Sequence, residues 1–291
     1  MSGTPAESET RPLIGDPAVI ENPPVIERAF VAVPHGQMHL AACGPVTDPV
    51  PVLLLHQTPR SWREYRDVLP LLGIRRRAIA IDTAGFGDSD PTPGAASIEA
   101  WAGAALTLLD AAGIGRVHLV GHHTGGVIAI ELAARAPQRV AALVLSSTPY
   151  CDEAFRRARA EQPPIDAVEA SADGSHLAAL WRRRQAFYPP DRPDLLQAFV
   201  ADALKVRGDV EGGHRAVAAY RMEDRIDRVT QPVLLLQAGA DPFAALHFEH
   251  WRQWLPRARI VRIEAGGVAL PDQLPGPFAR ALLDFLDSLP P

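Results

Sequence analysis

The chain has 291 residues, 47% hydrophobic and 22% charged, enough to bury a full core as one large domain or as a core with an insertion. Its formal charge of -5 is spread along the sequence and gives no reason to expect nucleic acid or an anionic membrane as partner. Cys43 and Cys151 stand far apart, match no metal spacing and read as free thiols. Residues 1–26 are polar and proline-bearing, without a secretion-type pattern, and read as a tail. No apolar run approaches the roughly 18 residues of a membrane span, so a cytoplasmic protein is expected. Phe30–Pro34 and Gln37–Ala42 predict a hairpin around His35-Gly36. Pro51–His56 is an apolar run of the kind found in a strand buried on both faces. The loop His56-Gln57-Thr58-Pro59 follows, then a helical pattern over Ser61–Leu72 with Ser61 as N-cap.

Ala78–Asp82 predicts the next strand, Asp82–Asp90 a glycine-punctuated loop, and Ile98–Ala112 an amphipathic helix. Val117–Val120 and Ala141–Ser147 are further strands, with a helix from Val127 between them. Alternation of helices with apolar strands predicts a mostly parallel, three-layer α/β fold. The rhythm stops over residues 149–228. Helical segments Asp152–Glu161, His176–Phe187, Asp194–Lys205 and His214–Met222 are divided by Pro163-Pro164 and Pro189-Pro190, with no buried-strand run. The sheet resumes at Pro232–Gln237 and Arg259–Ile263, and Pro277–Leu286 closes the chain as an amphipathic helix. The expected domains are a core of 27–148 and 229–291 and a helical unit of 149–228.

The candidate site centres on Gly121-His122-His123-Thr124-Gly125, which joins a strand to a helix within five residues. Such a turn forces its middle residue into a cramped conformation and tolerates no Cβ at the flanking glycines. The middle side chain is thrust out beside the amides of a helix N-terminus, where negative charge is welcome. Here that residue is His123.

The chain resembles the α/β-hydrolase superfamily with a helical cap, from about residue 28 onward. His56-Gln57-Thr58-Pro59 stands in place of the family's His-Gly oxyanion loop, with Gln57 replacing glycine. Asp82-x-x-Gly85-x-Gly87-x-Ser89 matches the loop after the next strand, and the Gly121–Gly125 turn matches the nucleophile elbow. The helical unit corresponds to the cap. Gly239-Ala-Asp241 matches the position of the acid, and Gly266-Gly267-Val268 the Gly-Gly-His that carries the catalytic histidine, with Pro275 at the family's spacing. Carried over position by position, the triad becomes His123, Asp241 and Val268. A serine-type acyl-enzyme cycle needs a hydroxyl beside an imidazole, and neither stands in its usual place.

The two departures are compatible with one rearrangement. An imidazole at the elbow reaches roughly 2 Å further than a seryl oxygen, into volume that Val268 leaves open. Asp241 would then find its imidazole on His123, fix its tautomer and stabilise its protonated form. The expected site is a His123-Asp241 general base, the backbone amides of Thr58 and Thr124 as an oxyanion hole, and Gln57, Trp181, Tyr220 and Val268 against the substrate. The expected partner is a small, largely apolar, carbonyl-bearing molecule, without cofactor or metal, nucleic acid or membrane; a homodimer is the assembly to consider. Hydrolysis through activated water is the first reading. The same base also suits lyase, isomerase or cyclase chemistry. A non-catalytic ligand-binding protein is the alternative from another class, since some hormone receptors of this fold similarly carry an aliphatic residue for the histidine. A metal held by His56, His122 and His123 is disfavoured, because adjacent elbow residues point opposite ways.

Overall fold

Period-two alternation of apolar residues divides the central strands between two cores. Leu53 and Leu55, Ile79 and Ile81, and Leu143 and Leu145 face one side; Val52 and Leu54, Ala78 and Ala80, and Ala142 and Val144 face the other. In the computed structural model, which describes residues 23–243 and 247–290, these strands lie in one eight-stranded sheet. The strands are β1 (Glu27–Val33), β2 (Gly36–Cys43), β3 (Val52–Leu55), β4 (Ala78–Ile81), β5 (Val117–His122), β6 (Val140–Ser146), β7 (Val233–Ala238) and β8 (Arg259–Ile263), in the spatial order β1-β2-β4-β3-β5-β6-β7-β8. The β1–β2 and β2–β4 pairs are antiparallel and the others parallel. The tail expected over 1–26 falls largely outside the described residues.

The short helix α1 (Leu69–Gly73) and the closing helix α10 (Pro275–Leu286) cover one face through Leu69, Leu72, Phe278 and Leu282. The other is covered by α2 (Ile98–Ala111) and α3 (Thr124–Arg135), through Trp101, Leu108, Ile128 and Leu132. Ser97 caps α2 by accepting the Ala100 N–H. The helix expected over Ser61–Leu72 is divided into a 3-10 turn at Trp62–Tyr65 and α1. Pro70 has no N–H to continue the ladder back to Arg66 and is tolerated only in the first turn of a helix, so α1 starts afresh at Leu69.

Between β6 and β7 the chain forms α4 (Glu153–Ala160), α5 (Ser175–Arg184), α6 (Pro193–Ala203) and α7 (Gly212–Ala219) and no strand. This insertion has a small core of its own around Leu180, Tyr188, Leu196 and Phe199. A buried ion pair between Arg184 and Asp166, with His214 on the same carboxylate, ties its helices together. Two short helices near the end, α8 (Phe248–Trp254) and α9 (Leu270–Gln273), were not expected from the sequence. No helix among the described residues is long and apolar enough to cross a membrane. The strand order reverses between β3 and β5, and in an open parallel sheet the ligand crevice lies outside the carboxyl ends at that point.

Candidate active site

Three loops at those carboxyl ends converge. The elbow between β5 and α3 holds His123 at φ 46° and ψ -113°, a positive-φ conformation that a residue with a Cβ rarely adopts. The glycines on either side make this turn possible. A Cβ on Gly121 would lie 2.2 Å from the Gly125 carbonyl oxygen, and one on Gly125 would lie 2.0 Å from the Leu55 carbonyl oxygen. Both neighbours are backbone and cannot move aside.

The His123 ring extends to the loop after β7, where its Nε2 lies 2.7 Å from Asp241 Oδ2. Asp241 is buried and the imidazole retains 14% side-chain exposure. The other carboxylate oxygen, Oδ1, accepts the Phe243 N–H at 2.9 Å. Burial alone would raise the Asp241 pKa, but the charge and hydrogen bond of His123 outweigh it and hold the carboxyl at about 2. An ionised acceptor makes Nε2 the protonated nitrogen, so Nδ1 carries the lone pair. Among the described residues no protein group bonds to Nδ1.

His122, next in the chain, has a different role. Its Nε2 donates to the Val268 carbonyl at 2.9 Å and its Nδ1 accepts from the Ser146 hydroxyl at 2.9 Å. Complete burial, with the neighbouring His123 charge, lowers its pKa to about 3, so it is neutral. His56 is likewise occupied: Nε2 accepts the Thr83 N–H and Nδ1 donates to the Gln57 carbonyl. Neither ring has a nitrogen left for a metal. The metal-competent group among the described residues is elsewhere, at His39, Asp82 and Asp88. There the Asp82 carboxylate already accepts the Trp62 and Asp88 amides and the His39 ring.

The His56–Pro59 loop is held from two sides. The Gln57 carbonyl accepts His56 Nδ1 at 2.8 Å and the Arg60 N–H at 2.9 Å, which fixes the plane of the peptide carrying the Thr58 N–H. Among the described residues neither the Thr58 nor the Thr124 N–H donates to a protein group. Thr124 begins α3, where a helix leaves its first amides without partners.

The residues expected to contact substrate fare differently. Gln57 Nε2 donates to Glu64 Oε1 and to the Val268 carbonyl, and its N–H to Glu64 Oε2. These bonds tie the His56–Pro59 loop to Glu64 and to the Val268 loop. The Tyr220 hydroxyl donates to Glu131 on α3, where Arg225 also binds. That contact clamps the insertion to the core. Trp181 packs against the insertion's own core. Val268 is buried, its carbonyl taken by His122 and Gln57. The insertion meets the site through Gly213 of α7, packed on Thr58, and through Phe187, whose ring centre lies 5.0 Å from that of Phe243.

Sequence reasoning missed a buried ionic cluster next to the His56–Pro59 loop. Arg60 Nε binds Asp202 of α6 at 2.9 Å, and its Nη1 binds Asp272 of α9 at 2.6 Å and lies 3.8 Å from Glu64. Ser61 donates to the same Asp202. Burial, reinforced by the Glu64 and Asp202 charges and opposed by Arg60, pushes Asp272 up to about 7. The partners are 142 and 212 positions from Arg60, so no local pattern announces them.

Residues 50–271 match the model of the alpha/beta hydrolase fold family, and the chain belongs to that family. Family and relatives together make it an enzyme of the hydrolase class. A protein of Pseudomonas savastanoi pv. phaseolicola named "Putative carbamate hydrolase RutD" is 30% identical over 238 residues, 78% of this chain and 90% of that protein. The 2-hydroxymuconate semialdehyde hydrolase of Pseudomonas sp. (strain CF600) is 35% identical over 130 residues, 43% of this chain and 44% of that enzyme. The crystal structure of the enol-lactonase from Burkholderia xenovorans LB400 superposes with a TM-score of 0.73 at 21% identity, covering 89% of this chain and 100% of the lactonase, a likeness of fold.

Proposed function

We propose that the protein hydrolyses a small, largely apolar carbonyl compound without metal or cofactor, using His123 and Asp241 as a general-base dyad and the 149–228 insertion as the cap over the substrate. The observation that carries this reading is the 2.7 Å contact between His123 Nε2 and Asp241 Oδ2. The acid in its family position has its imidazole, but that imidazole comes from the elbow. In this scheme Nδ1 takes a proton from water as the water oxygen attacks the carbonyl carbon. The developing oxyanion accepts the Thr58 and Thr124 N–H groups. Collapse of the tetrahedral species expels the leaving group, which recovers the proton from Nδ1. A positioned base contributes about 10² to 10⁴ in rate. Hydrolysis of a carbamate and of 2-hydroxymuconate semialdehyde, named for the relatives, falls within this carbonyl chemistry.

The test is hydrolysis of a panel of esters and carbamates by the wild type and His123→Ala, with labelled water. Turnover that disappears in His123→Ala and places solvent oxygen in the acid product supports the scheme. Unlabelled product points to elimination or isomerisation from the same base. An equally active His123→Ala variant overturns the dyad.

A further inference from the structure

We propose that Asp202 of the insertion is a positioning residue for the Thr58 N–H, acting through Arg60. This rests on the reading of that amide as an oxyanion donor. Asp202 stands buried in the last turn of α6. Its two carboxylate oxygens grip adjacent residues of the core: Oδ2 accepts Arg60 Nε at 2.9 Å and Oδ1 accepts the Ser61 hydroxyl at 2.9 Å. The Arg60 backbone N–H in turn donates to the Gln57 carbonyl at 2.9 Å. That carbonyl belongs to the peptide whose other end is the Thr58 N–H. A planar peptide turns as a unit, so whatever aims the carbonyl also aims the N–H. Arg60 thus lies between the insertion's carboxylate and the plane that directs the donor.

The loop cannot exchange this grip for solvent. The Arg60 side chain is fully buried, and its Nη1 is held on the other side by Asp272 at 2.6 Å. Withdrawal of α6 would leave a buried guanidinium short of a carboxylate, a costly state for a charge out of water. A second helix of the insertion presses on the same loop, since Gly213 of α7 packs against the Thr58 side chain. The two helices hold the loop at Thr58 and at Arg60-Ser61, on either side of Pro59. Other ties between insertion and core miss it: Arg207 binds Asp90 at 3.0 Å and Lys205 binds Asp88. The route through Asp202 makes the direction of the donor depend on the seating of the insertion, so the oxyanion site is complete only when the substrate is covered.

Asp202→Ala removes the grip and leaves Arg60 with Asp272 and Glu64. Asp202→Asn keeps it: the amide oxygen accepts Arg60 Nε, and the NH2 donates to Ser61 Oγ, which turns from donor to acceptor. Arg207→Ala cuts a tie between insertion and core that does not reach the loop. With p-nitrophenyl butyrate as probe, Asp202→Ala is expected to lower kcat by about 10²-fold, the scale of a misplacement of about 1 Å, with KM little changed. The Thr58 amide cross-peak in a 1H–15N NMR spectrum should move in the same variant. Asp202→Asn should recover most of the turnover and the wild-type cross-peak, and Arg207→Ala should match the wild type in both. Undiminished kcat in Asp202→Ala, with His123→Ala inactive, overturns the positioning role and leaves the dyad standing, whatever the melting temperature. A loss shared equally by Asp202→Asn assigns the effect to charge, and one shared by Arg207→Ala assigns it to general loosening of the insertion; either also overturns it. If His123→Ala is as active as the wild type, or the wild type is inert toward the ester, the dyad and this reading fall together.

Discussion

Replacing Asp241 by Asn exchanges one carboxylate oxygen for an NH2 group, and the structure dictates which one. Oδ1 accepts the Phe243 N–H at 2.9 Å, so the asparagine must keep its carbonyl there. Its NH2 then faces His123 Nε2, the atom that lies 2.7 Å from Oδ2 in the wild type. Two donors cannot share that contact. The ring must shift its proton to Nδ1, leaving Nε2 as acceptor and removing the lone pair from the nitrogen assigned to the base. The wrong-tautomer substitution in Ser-His-Asp hydrolases costs about 10⁴ in kcat, or about 5.4 kcal/mol in activation free energy. The same loss is expected here, with little change in fold because size and shape are kept. Steady-state kinetics on p-nitrophenyl butyrate give the rate, and 15N NMR of histidine-labelled protein gives the tautomer directly. A variant that retains activity within about tenfold of the wild type, or whose Nδ1 remains the unprotonated nitrogen, refutes this reasoning.

Arg60→Met should destabilise the fold by about 3–5 kcal/mol in urea unfolding, because it leaves Asp202, Asp272 and Glu64 buried around a lost guanidinium; an unchanged midpoint would contradict the cluster. His122, held at about 3 in the folded state against 6.5 for the free ring, binds fewer protons folded than unfolded. Its contribution is therefore fully present above pH 6.5 and is lost as pH falls from 6.5 toward 3. Stability of the wild type relative to His122→Asn should drop by about 1.4 kcal/mol per pH unit across that window, measured by denaturant titration.

Much of the sheet was legible because its central strands are buried on both faces and read as unbroken apolar runs, as at Val52–Leu55 and Val233–Ala238. The break at Arg66–Val68 was harder, since the apolar spacing continues through it and only Pro70 signals the interruption. Pairing His123 with Asp241 was readable because two family positions had changed together while the acid remained. The hydrogen bonds of Gln57 were not legible: an amide in that loop suggests a substrate contact, and its partners Glu64 and Val268 come from other segments. The Tyr220 contact was hidden in the same way. An aromatic ring in the insertion says nothing of whether its hydroxyl will find a carboxylate such as Glu131. Long-range polar pairings leave no periodicity in a sequence, so the Arg60 cluster was invisible there.

The backbone at the elbow has a bearing on how such proteins change their chemistry. The unusual angles at residue 123 are imposed by the glycines at 121 and 125 and by the strand and helix on either side, whatever side chain stands between them. The turn thus behaves as a socket whose occupant is interchangeable. Lineages can trade a hydroxyl for a ring there without redesigning the scaffold, and an engineer could seat an unnatural nucleophile in the same place.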